Sequence, residues 1–167
     1  MAEENNYLHE IATTAIIVNK EGKYLITRRA PERKRYPGYW TVPGGRIQTS
    51  DYLALPKETE FYWYNVLERT LKREVMEESG VEITNVEYLT SLATVHKDGT
   101  PSLVISCVAD YVNGQVKIQP GESDDFAWVS IEEAKAYQLM DGIYEELVMV
   151  NKKRAGEKNV LWEKDLK

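Results

Sequence analysis

The run REVMEESGV places Arg73, Glu74, Glu77 and Glu78 within one and a half helical turns, ahead of Gly80 and Val81. Like charges this close on a helix repel, so the run costs stability unless something neutralises it. With Arg73 as zero, Glu77 falls at about 40°, Glu74 at about 100° and Glu78 at about 140°. Leu67, Leu71 and Val75 fall at about 120°, 160° and 200°, so the acidic arc overlaps the stripe that must face a core. A solvated face would lie opposite Leu71, where Arg69, Lys72 and Met76 point. A carboxylate turned inward must be protonated, paired with a cation or bound to a metal. Arg73 or Lys72 can satisfy one glutamate but hardly three. The geometry favours a divalent-cation site and leaves a structural ion-pair network open. Oxygen donors suit a hard ion, Mg²⁺ or Mn²⁺, better than zinc. His9 and His96 stand alone in strand-like surroundings and read as structural.

Several elements must position this face. Residues 11–29 read as two strands joined by a turn at Glu21–Gly22, and APERKRYPGYW as a polar loop. WTVPGGRI reads as two short extended pieces broken at Pro43-Gly44-Gly45. A helix is expected from near Pro56 to Ser79, with Gly80 as its C-cap. Its first half is alternatively an ordered loop, since Phe61, Tyr62, Trp63 and Tyr64 fit no single helical face. Strands are expected at 82–97, 102–112 and 124–130, with hairpin-type turns at 97–100 and 112–115. Ser130 caps a helix over 130–140, and GIYEELVMVNKKRAG reads as another. Strands, helix, strands and helices in that order predict an α+β domain with a mixed sheet and flanking helices.

The chain's 167 residues suit one domain with a sizeable core, and 43% hydrophobic with 29% charged residues is a globular balance. A net charge of -6 argues against nucleic acid or an anionic membrane as partner. It does not exclude a small phosphate ligand, because a bound divalent ion inverts the local field. The single cysteine, Cys107, lies in the apolar run SLVISCVADYV and reads as a buried core thiol. The acidic start MAEENNYLHE lacks the basic and apolar regions of a signal peptide, and no apolar stretch reaches membrane-spanning length. A cytoplasmic location is the expectation.

These residues resemble the signature of the Nudix hydrolase superfamily, G-x5-E-x7-R-E-U-x-E-E-x-G-U with U apolar. REVMEESGV matches its second half in full, through Arg73, Glu74, Val75, Glu77, Glu78, Gly80 and Val81. YPGYWTVPGGRI is similar to the family's lead-in, ITRRA (26–30) to the preceding strand of MutT-like members, and DDFAWVSIEEA (124–134) to their closing strand and helix. There are two departures. The first carboxylate, expected after five intervening residues from Gly45, is Asp51 rather than glutamate; alternatively, the position immediately before the seven-residue spacer is Asn65, which is no carboxylate. Between Asp51 and Arg73 stand 21 residues where the signature has seven, an insertion of about 14 over residues 52–65.

The resemblance implies one Nudix-type α/β/α sandwich over residues 1–167, with a core of about 11–150 and a C-terminal helix and tail at 143–167. It implies hydrolysis of the diphosphate linkage in a nucleoside triphosphate or another nucleoside-diphosphate derivative, with Mg²⁺ or Mn²⁺. Glu74, Glu77 and Glu78 would be metal ligands, joined by the Gly44 carbonyl, with Glu74 or Glu77 also sharing the role of base. Arg73 would orient the glutamates. Glu122 is a weaker candidate for an additional base, ahead of its neighbours Asp124 and Asp125. Of Arg28 and Arg29 one should face the site, since strand neighbours point to opposite faces. Trp40 is expected to pack beneath the turn.

The aromatic insertion is either a wall or lid for a nucleobase, or simply packs on the domain or a second subunit, so a homodimer stays open. The alternative function is a non-catalytic nucleotide-sensing or interaction module on the same fold. Asp51 and the insertion keep that alternative in play. An isoprenoid-diphosphate isomerase is disfavoured, because Cys107 lies in the wrong kind of segment. For the tail, the readings are disorder or anchoring by Leu161 and Trp162.

Overall fold

The computed structural model describes residues 7–164. Its centre is β1 (Glu10–Val18), where Ala15 and Ile17 point to one side, Ile16 and Val18 to the other, and all four are buried. A strand covered on both faces needs consecutive apolar residues rather than alternate ones. β6 (Pro101–Asn113) runs parallel to β1 from Glu10 opposite Ser102 to Val18 opposite Asp110. β5 (Glu82–Val95) closes antiparallel against β6.

On its other side β1 meets β2 (Tyr24–Arg29) only near the turn, where Val18 lies opposite Tyr24. β2 then diverges to pair with β3 (Trp40–Thr41) and β7 (Ser123–Val129). The opening beside residues 12–14 of β1 is filled by β4 (Gly44–Arg46). α1 (Val66–Ser79) covers one face of the sheet with Leu71 and Val75. α2 (Ile131–Ala134) and α3 (Ile143–Arg154) cover the other with Ala134, Ile143, Leu147 and Val150. This is an α+β sandwich on a mixed sheet, as the order of elements implies. No described helix is long and apolar enough to cross a membrane.

Several boundaries differ from expectation, each for a local reason. α1 starts at Val66 rather than near Pro56, and residues 52–65 carry no helix or strand. The four consecutive aromatics fit no helical face, and Asn65, in the left-handed region at φ 54°, starts the helix instead. Gly44 and Gly45 belong to β4, so the break falls at Val42–Pro43. Residues 112–115 are not a hairpin turn, because β7 pairs with β2 rather than with β6. The helix foreseen over 130–140 is confined to Ile131–Ala134, where Ser130 caps it by accepting from the Glu133 amide. In the tail, Val160 packs on the α3 side of the core and the Trp162 indole donates to the Gly142 carbonyl at 3.3 Å, while Leu161 is exposed.

One buried group stands apart from the carboxylate helix. Glu146 on α3 is 1% exposed, is hydrogen-bonded to Ser106, and keeps one carboxyl oxygen without a partner. Ser106 in turn accepts from the Thr14 hydroxyl at 3.2 Å. Burial pushes the Glu146 acid from 4.5 up to about 7, against the opposing Ser106 bond. The native state therefore holds a proton that the unfolded chain has released, and stability falls as pH rises from about 4.5 to 7. The loss amounts to about 3 kcal/mol. Glu146→Gln, neutral throughout, is expected to melt above the parent protein at pH 8, with the gap closing toward pH 4.5. Paired melting curves across that range check this, and a gap that does not change with pH contradicts it.

Candidate active site

The site is built where β4 enters the gap beside β1. A Cβ on Gly44 would overlap the Thr13 carbonyl and the Thr14 Cα, and a Cβ on Gly45 would overlap the Glu74 carboxylate. Both positions need glycine for close approach. One lets backbone lie on backbone, and the other seats a carboxylate on the strand. The Gly44 N–H then donates to Glu78 Oε2 at 3.0 Å, so β4 and the last turns of α1 are joined directly. α1 stops just beyond, at Gly80 with φ 69°, a conformation other residues adopt only with strain.

Arg73 gathers the other acids. Its Nη2 donates to Asp51 Oδ1 at 2.7 Å and to Glu74 Oε1 at 2.8 Å, while Nη1 donates to Glu77 Oε2 at 2.8 Å. Asp51 ends a one-turn 3-10 helix, Thr49–Asp51, and its side chain is 6% exposed. The Gln48 amide at 2.8 Å and the Thr70 hydroxyl at 3.1 Å fix its other oxygen. The residues inserted after Asp51 thus loop out and return, and the carboxylate six residues beyond Gly45 still reaches Arg73. Side-chain exposure runs from 13% at Glu74 to 53% at Glu77, so the helix presents one acid to the strand and one to solvent. Burial raises the Glu74 acid above its usual range, opposed by Arg73.

Glu78 lies deepest in the electrostatic sense. It forms no ion pair among the described residues, and burial, with Glu74 and Glu122 nearby, pushes its acid up to about 7. The Gly44 N–H and Arg29 oppose that rise. Glu122 is brought close because the segment before it is stitched to the end of α1. The Lys117 amide donates to the Ser79 carbonyl at 2.9 Å and the Gln119 amide to the Glu78 carbonyl at 3.1 Å. Arg33 pairs with Glu122 at 2.6 Å.

Arg29 is the strand arginine that faces this cluster. Burial and the neighbouring Arg33 lower its pKa, while Glu78 and Glu122 oppose that fall. Arg28 points to the opposite face, bonded to Asp124 at 2.7 Å and resting over the Trp40 ring at 5.7 Å. Trp40 packs edge-on against Tyr137. The structure therefore brings Gly44, Glu74, Glu77, Glu78, Arg73, Arg29 and Glu122 to one region and leaves Arg28 outside it.

The donor set suits a hard divalent cation. It offers oxygen donors alone, and Glu78 forms no ion pair among the described residues, so a bound ion would restore its charged form. Among the described residues no three His, Cys, Asp or Glu side chains already enclose such an ion. Arg73 holds Glu74 and Glu77, and the Gly44 amide holds Glu78. Two contacts escaped the reading of the sequence: the Glu74 seat on Gly45 and the Arg33–Glu122 pair. Residue types carry no trace of the second. The unbroken Gly45-to-Asp51 spacing was the available signal for the Asp51–Arg73 pair.

A mixed sheet between helices, with a carboxylate helix seated on a Gly-Gly strand, defines a class of phosphoanhydride hydrolase. The NUDIX domain family model matches residues 8–148, and the chain belongs to that family. The nucleoside triphosphatase NudI of Escherichia coli (strain K12) is 28% identical over 135 residues, covering 74% of this chain and 84% of that protein. A MutT NUDIX hydrolase from Burkholderia pseudomallei superposes with a TM-score of 0.67 at 20% identity, covering 86% of this chain and 98% of the other. The NUDIX domain of Shewanella oneidensis NrtR, solved with ADP ribose, gives 0.68 at 17% identity over 92% and 94%.

Two substitutions separate the contacts of this site. Gly44→Ala meets immovable backbone and is expected to cost about 3 kcal/mol, whereas Gly45→Ala meets a side chain that can swing away and should cost about 1 kcal/mol. Gly45→Ala should still depress turnover, because it evicts Glu74. Denaturant melts alongside activity assays check the pair, and equal stability losses would contradict the geometry. Asp51→Asn leaves Arg73 short of one buried anionic partner and is expected to destabilise the fold by about 2 kcal/mol, discounted for the half-exposed guanidinium. A denaturation midpoint unchanged from the parent would show that the Asp51–Arg73 pair contributes nothing.

Proposed function

We propose that the protein is a divalent-metal-dependent pyrophosphohydrolase acting on nucleoside triphosphates or related nucleoside-diphosphate derivatives. The observation that carries this reading is Glu78, a half-buried carboxylate without an ion pair among the described residues, held against the Gly44 amide beside Glu74 and Glu77. Likeness to a nucleoside triphosphatase over most of the chain supports the substrate class.

Glu74, Glu77 and Glu78, with the Gly44 carbonyl, would hold Mg²⁺ or Mn²⁺. The ion supplies neutralisation of phosphate charge and acidification of a bound water. The chain's own residues do the rest. Arg73 fixes the Glu74 and Glu77 carboxylates by charge-assisted hydrogen bonds and is itself fixed by Asp51. Glu78 has Oε2 engaged by the Gly44 amide, so Oε1 is the oxygen it presents to an ion. Arg29 offers positive charge to a phosphate oxygen on the strand side of the cluster, and Glu122, anchored by Arg33, is a proton acceptor.

The test is release of phosphate and pyrophosphate from a panel of nucleoside triphosphates, nucleotide sugars and dinucleoside polyphosphates with Mg²⁺ or Mn²⁺. Metal-dependent release should fall by about a hundredfold or more in Glu77→Gln and Glu78→Gln while both variants remain folded. A metal-induced rise in melting temperature without turnover of any compound would replace the hydrolase reading with a binding module. Full activity in both variants would remove the glutamates from the mechanism.

A further inference from the structure

The sheet ends at β5, which pairs with β6 on one side and with no described strand on the other. An open strand edge is a template for another chain, and proteins blunt it with charge, proline or bulges. The first half of β5 is blunted in this way. Glu82 and Glu87 lie on it, and its register shifts at three places before Thr90. From Thr90 to Val95 the pairing with β6 is regular, and the strand holds neither a charged residue nor a proline.

The surface beside this edge is equally neutral. Residues 88–95 and 101–109 contain no Asp, Glu, Lys or Arg, in a chain of which 29% is charged. Depletion of charge is the compositional mark of an interface core. Between these strands and the start of α1 lies a groove of about 580 Å³, lined by Leu67, Val86, Tyr88, Leu103, Ile105 and Cys107. Its single charged lining residue, Glu68, is paired with Lys72 at 2.8 Å. The far rim is Asn65, where the inserted segment ends, and just before it stand Phe61, Tyr62 and Tyr64. These three and Tyr88 are between 55% and 63% exposed, and together they offer roughly 500 Å² of surface. With the strand edge added, the area approaches the roughly 800 Å² that each partner gives to a stable interface.

We propose that this face is the interface of a homodimer, in which the Tyr88–Val95 edges of two copies pair antiparallel across a two-fold axis and cover the groove. Two identical antiparallel edges are self-complementary, each giving the hydrogen-bonding groups that the other receives. Charge selects the same occupant. Two chains of net charge -6 repel where their acids meet, and this neutral stretch is where they approach at least cost. A partner recognised by its charge would find nothing here to pair with. β6 and β1 separate this edge from β4, so dimerisation is independent of the chemistry at the carboxylates.

Sedimentation equilibrium of the parent protein should give twice the mass of one chain. Ala93→Lys and Val95→Lys each put a charge on the edge at an exposed position, so both should stay folded and associate at least about tenfold more weakly. Phe126→Ser, which removes an exposed aromatic from β7 on the other side of β1, should sediment like the parent. Amide exchange of residues 90–95 should slow as the parent is concentrated through the monomer–dimer transition. A monomeric parent overturns the proposal, and so does a dimer that survives both lysines. Dissociation by Phe126→Ser with both lysine variants still dimeric places the interface elsewhere and overturns it as well. Should neither lysine variant fold, exchange at 90–95 that ignores concentration has the same consequence.

Discussion

Everything at this site depends on the Arg73 guanidinium. Without it, Asp51, Glu74 and Glu77 would form an uncompensated cluster, partly removed from water, at the edge of an apolar helix face. One planar cation meets all three because its donors fan out in a fixed fork, which a lysine cannot reproduce. Since Glu77 is half exposed and Asp51 nearly buried, the same guanidinium also bridges from solvent to interior. Glu78 is left to another device, a single backbone amide at 3.0 Å, and that unequal treatment keeps its proton affinity high.

The β4 strand converts this electrostatic arrangement into a rigid one. It is only three residues long and is pinned to β1 at Ala12, Thr13 and Thr14. Because its two glycines admit no side chain, the helix carboxylates rest directly on backbone that the sheet holds still. The inserted segment leaves this core untouched. It departs after Asp51 and rejoins at Asn65, and Glu58 within it accepts from Arg69 of the helix.

Much of this was legible in the residue pattern. The helical phase of Glu74 and Glu78 against Leu71 and Val75 located an acid cluster at the core's edge, and buried Leu71 and Val75 carry that phase in the fold. Period-2 neighbours distinguished Arg28 from Arg29, although which of them faces the carboxylates depends on strand register, which no local pattern encodes. The start of α1 was legible only as an alternative, because Pro56 is a good first helical residue wherever a helix follows. The turn at 112–115 misled for a related reason. Asn-Gly signals a turn, but whether the next strand pairs with the last one or with a strand 100 residues earlier is decided by packing. Glu146 carried no signal, since a glutamate in an amphipathic helix reads as solvated until the partner face is known.

The pairing of the sheet sets the order in which the site comes into being. Thr14 lies beside Ser106, 92 residues later, and β2 finds its long partner only in β7. During synthesis the first strands and the acidic helix therefore leave the ribosome before the strands that enclose them exist. The β4 seat and its β1 partner are both made before the acidic helix, whereas Glu122 and the strand that pairs with β2 come last in the chain. A chain halted before Glu122 would hold the acidic helix and its β4 seat but lack Glu122 and the long partner of β2.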